Sequence, residues 1–293
     1  MKRIVEITSK SYLSVKHDQL VIEQNGSRVG SVPIEDLGVL VLNNPAIVIS
    51  QQAVIASQEG NVAIIFCDNG HKPISTLLPD STANSLHTKI LSEQIAAKQS
   101  TKDRLWQSIV KEKLRNQSHL LTSIGGNHAY IDRLIPKVKS GDPSNIEAQA
   151  ARHYWKQIFG NDFIRRSDDQ VNACLNYGYA IVRACVARSI AVTGLHPSIG
   201  LNHKNQYNSL VLADDLMEPI RPWIDEIVLR LHSIEKNLKL DQTTKRELIT
   251  ILETRVIRKD TTLPLMTALN RMASDLRIAL KENLKSLDWY RRP

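Results

Sequence analysis

Leu78-Pro79-Asp80-Ser81-Thr82-Ala83-Asn84-Ser85 divides the 293-residue chain into two kinds of sequence. Its Pro, Ser, Thr and Asn content marks a linker. On its N-terminal side, residues 3–7, 12–15, 20–23 and 38–42 are short, β-branched runs that predict strands, with Asn25-Gly26 as a hairpin signal. Asn43-Asn44-Pro45 breaks that pattern, and Ser50 caps a predicted short helix that runs through Glu59 and stops at Gly60. The apolar run Val62-Ala63-Ile64-Ile65-Phe66 predicts a buried strand, which Asp68-Asn69-Gly70 turns into another near 74–78. On the C-terminal side the period becomes helical. Ile90, Leu91, Gln94, Ile95 and Lys98 begin an amphipathic run reaching Leu114. Gly125-Gly126 and the Pro136 to Pro143 stretch interrupt it, and helices are predicted near 145–159, 170–191, 215–236, 244–257 and 263–287. Thr244-x-x-Glu247 reads as a capping box. The predicted fold class is α+β: a small N-terminal β-rich domain, residues 1–80, followed by a larger all-helical domain, residues 81–293.

The charge follows the same division. The whole chain carries 38 Lys and Arg against 30 Asp and Glu, a net +8. Residues 1–80 hold 6 basic and 8 acidic side chains, a balance of −2; residues 81–293 hold 32 and 22, a balance of +10. A polyanion such as nucleic acid would therefore meet the helical part. No run approaches the roughly 20 apolar residues of a membrane span. Met1-Lys2-Arg3-Ile4-Val5-Glu6 puts an acid where a signal peptide needs apolar residues, which leads to an expectation of a cytoplasmic protein without membrane partners. Cys67, Cys174 and Cys185 are odd in number and lack C-x-x-C spacing, which argues against a disulfide framework or a thiolate zinc site.

Three remote segments carry the residues of a divalent-metal site: Glu147 in 145–155, His203 in 200–208, and Asp214, Asp215 and Glu218 in 213–222. Each has a plain structural alternative. Ser144-x-x-Glu147 is a capping-box pattern, His203 reads as a polar loop residue, and the acids of 214–218 suit the first turn of a helix. Together they suit a different task. Two carboxylates repel a phosphodiester unless a cation lies between them; Mg²⁺ or Mn²⁺ satisfies the acids and polarises a phosphoryl oxygen. A histidine nitrogen shifts such a site towards Mn²⁺. Asp215 and Glu218, three apart, share a helix face and can serve one site; Asp214, four before Glu218, could also reach it, and the sequence does not decide between the two. Tyr154, Trp155, Tyr177 and Tyr179 have the spacing of core residues rather than of base-stacking platforms, and His153 and His196 read as structural. Arg152, Arg165, Arg166, Arg183, Arg188 and Lys204 are candidate phosphate contacts.

The arrangement resembles the CRISPR-associated integrase of spacer acquisition, the first and most widespread Cas family, in its type II form. Asn145-x-Glu147-Ala148-x-Ala150-Ala151-x-x-Tyr154-Trp155 resembles the family's first metal-ligand block, and Leu175-Asn176-Tyr177-Gly178-Tyr179 its helical core motif. Gly194-Leu195-His196-Pro197-x-x-Gly200-Leu201-Asn202-His203 leads into its histidine ligand, and Asp214-Asp215-Leu216-Met217-Glu218-Pro219-x-Arg221-Pro222 matches its acidic block. The intervals of 56 positions from Glu147 to His203 and 15 from His203 to Glu218 fit the family. Asn205-Gln206-Tyr207-Asn208 is the type II-like part, and Asn202 departs from the second histidine that many relatives carry.

The resemblance implies a metal-dependent DNA endonuclease and integrase with Glu147, His203 and Glu218 as catalytic metal ligands for Mg²⁺ or Mn²⁺. It implies insertion of short protospacer DNA into the CRISPR repeat array by attack of a 3′-hydroxyl on a phosphodiester. It also implies a homodimer formed through residues 1–80, and a small dimeric second Cas adaptation protein as partner. In type II systems the effector nuclease and a ring-shaped adaptation protein also take part. Two other readings compete: a non-catalytic DNA-binding scaffold, and a nuclease of branched-DNA repair.

Overall fold

Asn25 and Gly26 both adopt positive φ, +51° and +76°, the geometry of a two-residue hairpin turn. In this computed structural model, which describes residues 2–71, 73–80, 86–235 and 237–293, that turn joins β3 to β4. The N-terminal elements are β1 (Arg3–Ile7), β2 (Tyr12–Lys16), β3 (Gln19–Gln24), β4 (Ser27–Pro33), β5 (Leu37–Leu42), β6 (Val48–Ile49), α1 (Gln51–Glu59), β7 (Ala63–Cys67) and β8 (Pro73–Leu77). They form two four-stranded sheets, ordered β1-β5-β7-β8 and β4-β3-β2-β6. Helix α1 has the anticipated ends: Ser50 Oγ accepts from the Ala53 N–H, and Gly60 closes it. Strand β4 was not anticipated, because its Ser-Arg-Val-Gly-Ser half is exposed or polar and carries little apolar signal.

Alternation along the first sheet decides where the cores lie. Val39, Val41, Ala63 and Ile65 face one way and pack into the core of the helical part. Leu40, Leu42, Val62 and Ile64 face the other way, into a separate core with Leu13, Leu20 and Ala53. Both faces are covered, so β5 and β7 read as continuous apolar runs rather than alternating ones.

The helical part comprises α2 (His87–Ala96), α3 (Gln99–Ser123), α4 (Ala129–Leu134), α5 (Ile146–Phe159), α6 (Gln170–Val192), α7 (Val211–Met217), α8 (Arg221–Ile234) and α9 (Gln242–Ile249). It ends with β9 (Arg255–Arg258), β10 (Thr261–Pro264) and α10 (Leu265–Glu282). Helix α6 is buried along most of its length, and Gly178 permits its close approach to α8: a Cβ there would lie 2.6 Å from Ile224 Cγ2. Three boundaries differ from expectation. The amphipathic run from 90 breaks at the extended pair Ala97 and Lys98, and α3 continues to Ser123. The helix expected over 215–236 is two helices separated by a 3-10 turn, Glu218–Ile220, where Pro219 cannot donate to the helical ladder; its expected end at Lys236 lies outside the described residues. The helix expected over 244–257 stops early, and Arg255–Arg258 instead pairs with β10 in a hairpin, so the second part is helical with one small β ribbon. The capping box at Thr244 is absent. Asp241 caps α9 by accepting from the Thr244 N–H at 2.9 Å, and Glu247 pairs with Arg230. Of the expected linker, 81–85 lies outside the described residues.

After α10 the chain returns across α3. Trp289 Nε1 donates to Ser108 Oγ at 3.0 Å, Arg291 pairs with Glu112, and Arg291 forms a β-bridge with Ile257. Among the described residues no helix is long and apolar enough to cross a membrane.

Candidate metal centre

Helix α5 places Glu147 in its first turn, but not by the capping box that Ser144 suggested. Gly141, Asp142 and Asn145 all take positive φ, folding 141–145 into a tight turn. The turn aims Asp142 at the helix end, where its carboxylate accepts from the Ile146 and Glu147 N–H groups at 3.0 Å each. Asn145 sits at the N-cap without a side-chain bond. With the cap supplied by Asp142, the Glu147 side chain is free to reach across to α3.

It meets Lys113 there. Trp106, Val110, Lys113 and Gln117 form one stripe of α3 at i, i+4, i+7 and i+11. Lys113 Nζ lies 2.5 Å from Glu147 Oε1 and 2.6 Å from Glu218 Oε2. Glu218 reaches this point because the 3-10 turn after α7 swings it towards α3; Asn116 Nδ2 fastens the turn by donating to the Pro219 carbonyl at 2.7 Å. Arg221 Nε sits 2.9 Å from Glu218 Oε1. Burial raises the Glu218 carboxyl, but Lys113 and Arg221 outweigh it and hold it below the usual carboxylate range. Burial likewise opposes the charge on Lys113, yet Glu218 and Glu147 raise it above an ordinary lysine.

His203 is set by Asp215. The fully buried Asp215 accepts from the Leu201 N–H at 2.7 Å and the Asn202 N–H at 3.1 Å, and its Oδ1 lies 2.5 Å from His203 Nδ1. Gly200 makes that loop possible: a Cβ there would lie 2.8 Å from the His203 carbonyl and 2.9 Å from Asp215 Oδ2. Gln94 clamps the approach to the loop, accepting from His196 N–H and donating to the carbonyls of His196 and Ile199. The His203 ring stands edge-on to Trp106 with centroids 5.4 Å apart. The Asp215 bond, chiefly, raises its pKa above that of a free imidazole, and Glu218 and Glu147 are near enough to add to the effect. With Nδ1 engaged, Nε2 is the nitrogen left to bind a ligand.

The two acids left open by their spacing separate here. Asp215 orients His203, whereas Asp214 is spent on Arg183 (2.7 Å) and Asn208 (2.6 Å). The tyrosines pack as expected: Tyr154, Tyr177 and Tyr179 are buried, and the hydroxyls of Tyr154 and Tyr179 donate to Asp225. Among the candidate phosphate contacts, Arg188 is buried and donates to the Asn61 carbonyl, and Arg183 is held by Asp214. Arg152, Arg166 and Lys204 are exposed, and Arg165 lies over the Trp155 and Tyr179 rings. Lys113 escaped the sequence reading; its signal is a lysine one and two turns on from Val110 and Trp106 on the same helical stripe.

Two carboxylates gathered on one cation beside an imidazole are a hard-oxygen and nitrogen donor set that suits Mg²⁺ or Mn²⁺. Glu218 Oε2 supports the fit, being buried without a well-directed hydrogen bond and served only by the ammonium charge. Among the described residues no three His, Cys, Asp or Glu groups form a ready coordination sphere. Lys113 stands between the two glutamates.

A family model described as "CRISPR associated protein Cas1" matches residues 5–260. The CRISPR-associated endonuclease Cas1 of Neisseria meningitidis serogroup C (strain 8013) is 34% identical over 97% of this chain and 94% of its own. Two solved structures share the fold. A casposase bound to its integration product superposes with a TM-score of 0.79 at 20% identity, covering 98% of this chain and 93% of that one. A CAS1 protein from Thermotoga maritima gives 0.79 at 17% identity, over 95% and 97%.

Proposed function

Because this chain belongs to the Cas1 family of CRISPR-associated proteins, we propose that Glu147, His203 and Glu218 hold the divalent ion of its DNA-joining site. The protein is an endonuclease and integrase of CRISPR adaptation, and the family is divalent-metal dependent. The observation that carries the site assignment is the meeting of Glu147 and Glu218, far apart in sequence, on one cation beside the Asp215-oriented His203. A bound Mg²⁺ or Mn²⁺ would polarise the scissile phosphoryl oxygen and stabilise charge on the departing 3′-oxygen.

The chain's own residues do the rest. Asp142 frees Glu147 by capping α5, Arg221 fixes Glu218, and Asp215 selects the His203 nitrogen that faces the ligand. The substrate is a short captured DNA whose 3′-hydroxyl attacks a phosphodiester at the edge of a CRISPR repeat. One phosphate ester bond forms as another breaks, so no nucleotide energy source enters; with water as nucleophile the same site cleaves. The basic excess of residues 81–293 supplies affinity through many phosphates with little sequence information. Residues 1–80 form the dimerisation domain and 81–293 the metal-binding catalytic domain. The partners are double-stranded DNA and the small dimeric second Cas adaptation protein, in the cytoplasm, with the type II effector nuclease and ring-shaped protein as further participants.

Single substitutions Glu147→Ala, His203→Ala and Glu218→Ala test this assignment. Each is expected to lower Mn²⁺-dependent strand transfer by about a hundredfold or more while duplex binding in a gel-shift assay persists. Wild-type strand transfer in any of the three would overturn the ligand set. Loss of duplex binding together with joining would favour a structural role for the residue concerned.

A further inference from the structure

The most unusual group in the molecule is the Lys113 ammonium. It is a half-buried cation in the middle of a 25-residue helix, 2.5 Å from one glutamate and 2.6 Å from the other. An ammonium drawn largely out of water is costly unless paired, and two adjacent carboxylates, Glu218 buried and Glu147 partly so, repel each other unless neutralised. Each cost is offset by the other, so Lys113 keeps the two acids together. We infer that Lys113 is a built-in placeholder for the divalent ion: it holds Glu147 and Glu218 in place until metal arrives, then swings out into the adjoining basic cleft.

Three features support this reading, which rests on the metal assignment above. First, a monovalent ammonium and a divalent ion cannot share the space between the same two carboxylates without strong like-charge repulsion. Second, the group is a lysine. An arginine's planar fork would lock both acids bidentately, whereas a single ammonium on a flexible four-carbon stem can leave. Third, it has somewhere to go. A cleft of about 380 Å³ borders Lys113 and Glu218 and is lined also by Gln117, Trp155, Arg165, Arg166 and Arg221. Two of those guanidiniums, with the released ammonium, suit a phosphate. Arg221 remains on the other oxygen of Glu218, so that carboxylate stays anchored when Lys113 departs.

The test is Mn²⁺ binding to the full-length protein, read by electron paramagnetic resonance and by thermal shift. Lys113→Met removes the competitor. Its apparent Mn²⁺ affinity is expected to rise about tenfold or more, and its melting temperature to fall without metal and recover with Mn²⁺ by more than the wild type gains. Equal or weaker Mn²⁺ binding by Lys113→Met would overturn the placeholder role. Should that variant not fold, the wild type still decides: acetylation of Lys113, followed by mass spectrometry, is expected to rise on adding Mg²⁺ and to fall again on adding duplex DNA. No rise with Mg²⁺ overturns the displacement. The Glu147→Ala/Glu218→Ala double variant keeps the two hypotheses apart. If it binds Mn²⁺ as the wild type does, the metal assignment itself fails; if it does not, and Lys113→Met binds no tighter, only the placeholder fails.

Discussion

Asp215 touches no substrate in this reading, yet the site depends on it. Its carboxylate ties the 201–203 backbone and His203 Nδ1 into one unit, so Asp215→Asn keeps an acceptor for the backbone but weakens the hold on the ring. Strand transfer by Asp215→Asn is expected to drop about 10- to 100-fold, with Mn²⁺ affinity falling in parallel and duplex binding unchanged. Full activity in that variant would mean that the ring needs no orienter. A second buried acid makes a pH prediction. Burial pushes Asp225 up to about 6, even though Tyr179 and Tyr154 donate to it. Below pH ~4 both folded and unfolded chains carry this proton, and the group's contribution is fully present. Between ~4 and ~6 only the folded chain keeps it, so stability from this residue declines as pH rises and is lost above about 6, a change on the order of 3 kcal/mol. Urea unfolding of the wild type and Asp225→Asn across pH 4–7 should show their difference moving by that amount, with the variant gaining on the wild type as pH rises. At this scale the sequence was partly legible. The three candidate ligands stand in motifs that keep their order and spacing. Of what holds them, Lys113 and Gln94 are remote in sequence, and Asp142, five residues before Glu147, reaches the helix end only through a left-handed turn that shows once the chain has folded.

The N-terminus of α5 shows how an element can satisfy a pattern by a different route. Ser144 and Glu147 have the spacing of a capping box, but the left-handed turn through Gly141 and Asp142 delivers another carboxylate to the same N–H groups. Asp142→Ala is expected to cost about 1–2 kcal/mol and Ser144→Ala only a few tenths, measured by chemical denaturation. The reverse order would restore the capping box and return Glu147 to a structural part. Elements defined by strong local signals, such as α1 between Ser50 and Gly60, were legible to the residue. Those decided by pairing were not. Arg255–Arg258 finds its partner across a tight turn at Lys259, whose φ is +53°, and its Val-Ile pair alone does not separate a strand from the last turn of a helix.

Across the whole molecule, charge and packing divide the chain differently. Charge changes near residue 80, and duplex binding should follow it. Its affinity is expected to fall steeply between about 50 and 200 mM salt, with little change from one duplex sequence to another, as for contacts made mostly to phosphate. A slope near zero in fluorescence anisotropy would remove DNA from the basic face. Packing ignores that boundary, because Val39, Val41, Ala63 and Ile65 belong to the helical core. Val41→Ala should cost about 1–3 kcal/mol and lower one shared calorimetric transition; two separate transitions, only one of them shifted, would contradict a joint core. There is an evolutionary corollary. A crossover at residue 80 between diverged homologues would bring together surfaces that had not drifted in step. Hybrids that exchange the first eighty positions alone should misfold unless their donor also provides the matching inner residues of α6, and natural recombination ought to have left few traces at that seam.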